Sequence, residues 1–278
     1  MSNFVLPPVG FGPGSQPPTD DGAELEYMPM PQDMRTFSLH IPEVQGDPSL
    51  QPAFDLLAQV AKAAATSGLG AENRRFDLSA LDKANRALMA ETLGEGEVSM
   101  RIYGIPAIAV QESVFAGVWV LKGAGQDAIE VGPVPQAART RAFEPRRPAQ
   151  GTEAPRQPGV LNAPPILVEL QDKSASQREG QDPHVVNLTL LPHTEQDLAW
   201  LDLALGQGST EILSRGYGNC RVSATALAHV WRVQFFNSMD TLILDTFEVT
   251  TMPEVTLAAP EDLTDSAARI LEVLEAIR

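Results

Sequence analysis

The chain has 278 residues, of which 36 are acidic and 20 basic, so its formal net charge at pH 7 is −16. This balance argues against DNA or RNA as a partner, since binding there needs lysine and arginine to displace counterions, and against an anionic membrane surface. The longest apolar stretch, residues 105–121, is interrupted by polar side chains and is too short for a membrane-spanning helix. We therefore expect neither nucleic-acid binding nor membrane insertion.

The first residues and the cysteine content bear on location and metal chemistry. The start of the chain has neither the basic nor the apolar part of an export signal, so we expect a cytoplasmic protein. Cys220 is the single cysteine, which excludes an internal disulfide or a four-cysteine metal site within one chain. The histidines do not occur at metal-ligand spacings; they are His40, His184, His193 and His229. We expect no metal, no cofactor and no catalytic residues.

Residues 1–48 form a proline- and glycine-rich acidic tail that we expect to be mostly extended, because it cannot bury enough apolar surface to fold alone. Its glycines Gly10, Gly12 and Gly14 do not lie between a strand and a helix, so they are not a nucleotide-binding fingerprint. Residues 27–37 add large apolar side chains, three of them methionines. This segment either packs onto the protein's own body or docks into a partner.

Residues 49–132 and 161–278 are predicted to be two copies of one unit. With an offset of 112, the stretches that start at Ala87 and Ala199 align without a gap as far as Trp119 and Trp231, and nine of 33 positions are identical. Matched tryptophans and glycines are the least expected coincidences in such an alignment. We interpret the pattern as an ancestral duplication.

The second copy has the clearer secondary-structure signals. Thr194 is a good helix N-cap, apolar residues follow at helical spacing, and Gly206 is a typical stop; residues 80–93 repeat this helix in the first copy. Strands are predicted over residues 185–191, 210–214, 220–225, 230–236 and 242–249, and a final helix over residues 260–277. Each unit is therefore predicted to be an antiparallel sheet with at least one helix packed on it, which is an α+β fold.

Residues 133–160 lie between the two copies and contain six prolines and five arginines. Such a composition predicts an interdomain linker. Its net positive charge is the reverse of the chain's overall sign, which most often means only a solvated run, although partner binding is an alternative.

The copies differ at the turn after the third element of the second copy, which is our candidate partner-binding site. Its glycines give backbone freedom, and its other side chains can stack and hydrogen-bond beside a thiol. The turn comprises Arg215, Gly216, Tyr217, Gly218, Asn219, Cys220 and Arg221. A plain hairpin turn with a buried cysteine is one alternative. Thiol chemistry is another, since Cys220 and His229 could approach each other on adjacent strands.

Several stretches of the second copy resemble the HupH/HyaF family of hydrogenase-expression proteins. These are VNLTLLPHTEQDLAWLD at 186–202, ILSRGYGNCR at 212–221, VQFFNSMDTLILD at 233–245 and AAPEDLTDSAA at 258–268. The tail segment YMPMP at 27–31 also resembles that family, and the first half is matched more loosely.

The resemblance implies a maturation protein for uptake [NiFe]-hydrogenase that acts on the iron–sulfur small subunit before assembly and export. Its implied partners are the small-subunit precursor and other maturation proteins. No catalytic residues come with the resemblance. The alternatives are a thiol or iron–sulfur-handling factor that uses Cys220, and a structural subunit of the mature enzyme.

Overall fold

The structure, a computed structural model, describes residues 47–215 and 219–277. Almost all of the predicted tail, residues 1–48, therefore lies outside the described residues, together with the methionine-containing segment 27–37 and His40. The central part of the candidate turn, Gly216, Tyr217 and Gly218, lies outside them as well.

The described residues form ten strands and six α-helices. Each half has the same order of elements, which is a helix, a strand, a helix, four strands and a helix. The strands are β1 Arg74–Asp77, β2 Val98–Ile102, β3 Ile108–Glu112, β4 Val118–Gly123, β5 Gln126–Val131, β6 His184–Asn187, β7 Thr210–Ser214, β8 Asn219–Ala224, β9 Val230–Phe236 and β10 Leu242–Val249. The helices are α1 Gln51–Gly68, α2 Lys83–Leu93, α3 Gln136–Thr140, α4 Ala163–Ser176, α5 Glu195–Leu205 and α6 Pro260–Ile277.

The strands form one sheet in the order β1-β5-β4-β3-β2-β7-β8-β9-β10-β6. Every strand pairing among the described residues is antiparallel, and the predicted α+β class is confirmed. Each half contributes five strands in matching order, but the two sets join through β2 and β7 instead of forming separate sheets. The domain boundaries at 49–132 and 161–278 stay a prediction.

The β2–β7 pairing has a symmetric register. Met100 lies opposite Ile212, the residue 112 positions later, while Val98 lies opposite Ser214 and Ile102 lies opposite Thr210. The same offset converts each of these outer pairs into the other. The centre of the sheet therefore lies between Met100 and Ile212.

Side chains of the central strands alternate between two faces of the sheet. One face is an apolar core that contains Met100, Trp119, Ile212 and Trp231, and the chain that follows β5 packs on it through Ala138. Helices pack over the ends of the opposite face. There α4 and α5 form a core with β9 and β10, and α1 packs along α6 and contacts α2 and β5.

Residues 133–160 join the two halves and are packed against them, which differs from a solvated linker. Ala138, in α3, and Ala142 are fully buried. Arg147 forms an ion pair of 2.6 Å with Asp202, and the Arg141 guanidinium donates to the backbone oxygen of Tyr103 at 2.8 Å. The positive charge of this segment is thus largely used within the protein.

Local capping explains the helix ends. The Thr194 hydroxyl accepts from the Asp197 N–H at 3.0 Å, and the Asp197 carboxylate accepts from the Thr194 N–H in return. Gly206 ends α5 with a φ of 66°. These predictions are confirmed, whereas the first-copy helix begins at Lys83 instead of residue 80 because Asp82 caps it.

The predicted strand over residues 185–191 is too long. β6 ends at Asn187, whose side chain accepts from the Thr189 N–H at 3.0 Å and starts a 3-10 helix, Leu188–Leu190. The predicted strands at 210–214, 230–236 and 242–249 and the final helix are confirmed, and the strand predicted at 220–225 is shifted by one residue. Within residues 47–215 and 219–277, no helix has the length and apolarity needed to cross a membrane.

Candidate functional site

The described residues of the candidate turn divide between the two faces of the sheet. Cys220 faces the apolar core, and the strand alternation directs Arg221 to the opposite face. The Arg221 guanidinium lies 5.9 Å from the centre of the Phe236 ring. The Arg215 N–H donates to the Glu97 oxygen at 3.1 Å, which ties the start of the turn to the segment before β2.

Cys220 has the surroundings of a structural residue. It is 4% exposed and lies opposite Ser214 on β7 and Phe235 on β9. Burial, together with the negative charge of Glu248, raises the pKa of its thiol to about 11. A thiol with that pKa stays protonated at neutral pH, and the protonated form is neither a good nucleophile nor a good ligand for soft metals.

Cys220 and His229 do not come together. Cys220 pairs with Phe235, whereas His229 precedes Val230 at the other end of β9. Six residues of strand separate Phe235 from His229, which is about 20 Å. The His229 ring packs instead on Phe143, with 5.6 Å between ring centres. Among residues 47–215 and 219–277, no group of three or more His, Cys, Asp or Glu side chains could hold a metal ion.

The hairpin between β9 and β10 extends the candidate turn into a wider surface. The Asn219 side-chain amide donates to the Asp240 carboxylate at 2.8 Å, so the two turns are neighbours. Asn237 shapes the hairpin, because its side chain accepts from the N–H groups of Met239 and Thr241. The Met239 side chain is 82% exposed. Two further exposed apolar residues follow it, Leu242 and Ile243.

A cleft of about 860 Å³ crosses the face of the sheet opposite the apolar core. Its walls include the C-terminal ends of α2 and α5, and its floor consists of two rows of side chains that cross six strands. One row is Lys122, Ala109, Arg101, Glu211, Ser223 and Arg232. The other is Val120, Gln111, Ser99, Leu213, Arg221 and Gln234. Arg215 and Arg221 line this cleft, so the cleft reaches the candidate turn.

Sequence reasoning missed this cleft. A signal was present, because Arg101, Arg221 and Arg232 each lie between two apolar residues on their strands. The alternation shows that these side chains share a face, but the order of the strands is needed to bring them together.

Comparison with known proteins gives consistent matches along the chain. The family model described as "HupH hydrogenase expression protein, C-terminal conserved region" matches residues 50–150 and, separately, residues 160–277. The hydrogenase expression/formation protein HupH of Rhodobacter capsulatus is 62% identical over 278 residues, which cover 100% of both chains.

More distant relatives have related names. The hydrogenase expression/formation protein HoxQ of Cupriavidus necator is 46% identical over 99% of this chain and 98% of that protein. The hydrogenase-1 operon protein HyaF of Escherichia coli is 35% identical over 72% of each chain. A solved structure of hydrogenase expression protein HupH from Thiobacillus denitrificans matches 41% of this chain and 94% of that chain, with 29% identity and a TM-score of 0.37.

Proposed function

Because the chain belongs to the family of HupH hydrogenase expression proteins, we propose that it is an accessory protein for hydrogenase maturation. More specifically, it holds the precursor of the iron–sulfur small subunit before that subunit joins the large subunit and is exported. Because this binding precedes export of the subunit, we place the protein in the cytoplasm.

The protein acts in this proposal by binding and not by catalysis. The names of the relatives, expression and formation proteins, support an accessory role. The protonated, buried thiol of Cys220 speaks against the thiol and iron–sulfur-handling alternative. A binding protein needs instead an accessible surface with groups that a client can contact.

The observation that carries the proposal is the surface at the β7–β8 turn and the β9–β10 hairpin. We call it the hairpin surface and define it as Arg215, Asn219, Met239, Leu242 and Ile243. Exposed apolar residues beside polar ones are typical of interaction sites, and methionine adapts to irregular partners. The hydrogen bond between Asn219 and Asp240 keeps the two turns together.

Co-purification tests the proposal. The full chain, tagged and expressed with the hydrogenase operon, should retain the small-subunit precursor. The double variants Met239→Ser/Ile243→Ser and Tyr217→Ala/Asn219→Ala should each reduce captured precursor and hydrogenase activity by about tenfold, as expected when a central contact is lost. The melting temperature of Met239→Ser/Ile243→Ser should stay within a few degrees, because both residues are exposed and exposed substitutions change stability little.

Leu69→Ser is the matched control for the loss of exposed apolar surface. Leu69 follows α1 and is 87% exposed, so its replacement should leave capture unchanged. If the native chain retains no small-subunit precursor, the assignment of the client is wrong. If both double variants capture it fully, the hairpin surface is not the binding site.

A further inference from the structure

The cleft has the opposite charge sign to the chain that forms it. The whole chain has a net charge of −16, yet basic side chains of the cleft outnumber acidic ones by six to three. The basic residues are Arg101, Lys122, Arg146, Arg215, Arg221 and Arg232. The acidic residues are Glu95, Asp202 and Glu211. Such a local reversal attracts anions that the rest of the surface repels.

Ion pairing within the protein leaves most of this positive charge free. Arg146 is paired with Glu211 at 2.7 Å and Arg232 with Asp245 at 2.6 Å, while Asp202 is paired with Arg147. Four cleft cations form no ion pair with any residue of 47–215 or 219–277: Arg101, Lys122, Arg215 and Arg221. The same range offers no ion-pair partner to Glu95, so the free charge of the cleft is four positive and one negative.

The two halves of the chain have diverged on this face. On the core face, several matched positions stay apolar, as with Val110 and Val222 or Trp119 and Trp231. On the cleft floor, Arg101 matches Leu213. Likewise, Ala109 matches Arg221, and Lys122 matches Gln234. The cations are therefore placed without regard to the symmetry of the strands, which suits an asymmetric ligand.

The spread of the cations favours a chain over a compact anion. Lys122 and Arg101 lie two strands apart in one row, which is about 10 Å. Arg221 lies two strands beyond Arg101 in the neighbouring row. The floor spans about 24 Å across its six strands, the length of about seven residues of extended polypeptide. A single carboxylate or phosphate would contact only part of it.

We infer that the cleft binds an extended, acidic segment of a partner protein, with carboxylates about three residues apart. The partner's identity rests on the proposed function, whereas the chemistry of the segment rests on the cleft alone. Arg101, Arg221 and Lys122 receive the carboxylates, and the segment leaves the cleft beside Arg215, next to the hairpin surface. The contacts are exposed to solvent and are weakened by salt.

A synthetic peptide tests this inference in vitro. The probe is a fluorescein-labelled peptide, Glu-Ala-Ala-Glu-Ala-Ala-Glu, and its matched control has glutamine in place of each glutamate. The full chain should bind the glutamate peptide at least about tenfold more tightly than the glutamine peptide, as measured by fluorescence anisotropy. Binding should weaken as the salt concentration is raised from about 50 to about 300 mM, because at about 0.3 M salt the Debye length is less than 10 Å. Equal affinity for both peptides, or no saturable binding, would overturn the inference.

Charge-removal variants locate the site. Arg101→Gln/Arg221→Gln should weaken peptide binding by about tenfold, as expected for two exposed charge contacts, and Lys122→Gln/Arg215→Gln provides a second, independent pair. The matched control, Lys62→Gln/Lys83→Gln, removes the same charge from exposed positions on α1 and α2 outside the cleft. A control that weakens binding as much as the cleft variants would show that only overall charge matters and would overturn the inference.

Two other occupants are distinguished by the same assay. The chain's own tail has an acidic stretch with Asp20, Asp21, Glu24 and Glu26; if neutralising these four residues tightens peptide binding about tenfold, the tail is the occupant and the partner assignment falls. If the native protein is a dimer that Arg101→Gln/Arg221→Gln dissociates, as measured by analytical ultracentrifugation, the cleft binds a second copy of the chain, and the inference of a partner segment is overturned.

The two proposals fail separately. Peptide binding without capture of the small-subunit precursor would refute the proposed function alone. Capture of the precursor without peptide binding would refute the inference about the cleft alone.

Discussion

The two halves of the molecule build the same helix junction with different side chains. In the second half, the fully buried Asp197 accepts hydrogen bonds from the backbone N–H groups of residues 161, 162 and 163 at 2.7 to 2.9 Å. In the first half the matched residue is Asn85, which accepts one such bond, from the Ala53 N–H at 2.9 Å. Both side chains lie in the first turn of their helix and hold the start of the preceding helix.

The difference shows that the same backbone arrangement can be held by a carboxylate in one half and by an amide in the other. A buried carboxylate is unfavourable by itself, so burial would raise the pKa of Asp197, but its backbone hydrogen bonds lower that pKa to about 2. An amide needs no such compensation and donates as well, here to the Ser49 oxygen at 3.0 Å. The second junction thus concentrates more of its stability in one side chain.

Removal of the Asp197 side chain should therefore cost more stability than removal of the Asn85 side chain. Asp197→Ala removes the acceptor of four backbone N–H groups, those of residues 161, 162, 163 and 194, and we expect it to lower the free energy of unfolding by about 4 kcal/mol. Asn85→Ala should cost about 2 kcal/mol, because one N–H group loses its acceptor. Urea denaturation of both variants measures the difference. Equal costs would contradict the comparison, and Asp197→Asn should fall between native protein and Asp197→Ala.

A second difference concerns pH. Glu112, at the end of β3, is buried at the position where the second half has Ala224, and burial raises its pKa from 4.5 to about 7 although it accepts from the Gly117 N–H. The folded state therefore holds this proton more tightly than the unfolded chain. The group contributes stability below pH 4.5, and the contribution is lost as the pH rises through 7.

We expect a loss of about 3 kcal/mol from this group between pH 4.5 and pH 8. Glu112→Gln, which cannot titrate, should remove that part of the pH dependence, as measured by urea denaturation across the range. The pKa of Glu248 is also raised by burial, so the test is the difference between native protein and variant. A variant with the same slope as the native protein would show that Glu112 is not the source.

The smallest expected effect comes from a substitution of Cys220, which tests whether this residue has a structural or a chemical role. The first half has Ile108 at the matched position, and both residues lie in the same core. Cys220→Ser should cost about 1 to 3 kcal/mol, the penalty for burying a hydroxyl, and should leave hydrogenase maturation intact at matched soluble levels. Cys220→Val is the apolar control. Loss of maturation in a folded, equally abundant serine variant would favour the thiol alternative.

Regular local signals made much of the fold predictable. The Thr194 cap, the Gly206 stop and the alternation in β7, β9 and β10 are determined by neighbours in sequence. Helices α1 and α4 were not predicted, because α4 starts with two prolines that also fit a linker and α1 has no side-chain cap. Prolines in a first helical turn remove no needed N–H donor. A proline pair therefore fits the start of a helix as well as a linker, and only the packing of the residues that follow separates the two.

The candidate site was predictable only in part. The glycine-rich turn stands out in the sequence, and the predicted strands over residues 230–236 and 242–249 locate its neighbour, the β9–β10 hairpin. The direction of Cys220 and the existence of the cleft depend on which strands are adjacent and on where the helices leave the sheet uncovered. Such contacts join residues far apart in the chain and leave no local pattern.

The symmetric pairing of β2 with β7 has a consequence for how the molecule holds together. A chain with only the first half would carry β2 as an open edge strand, and edge strands recruit further strands. Two such chains would complete the same sheet about a true two-fold axis, with Met100 opposite Met100. The full-length protein contains both partners in one polypeptide, so this contact does not weaken on dilution, as association between separate subunits would.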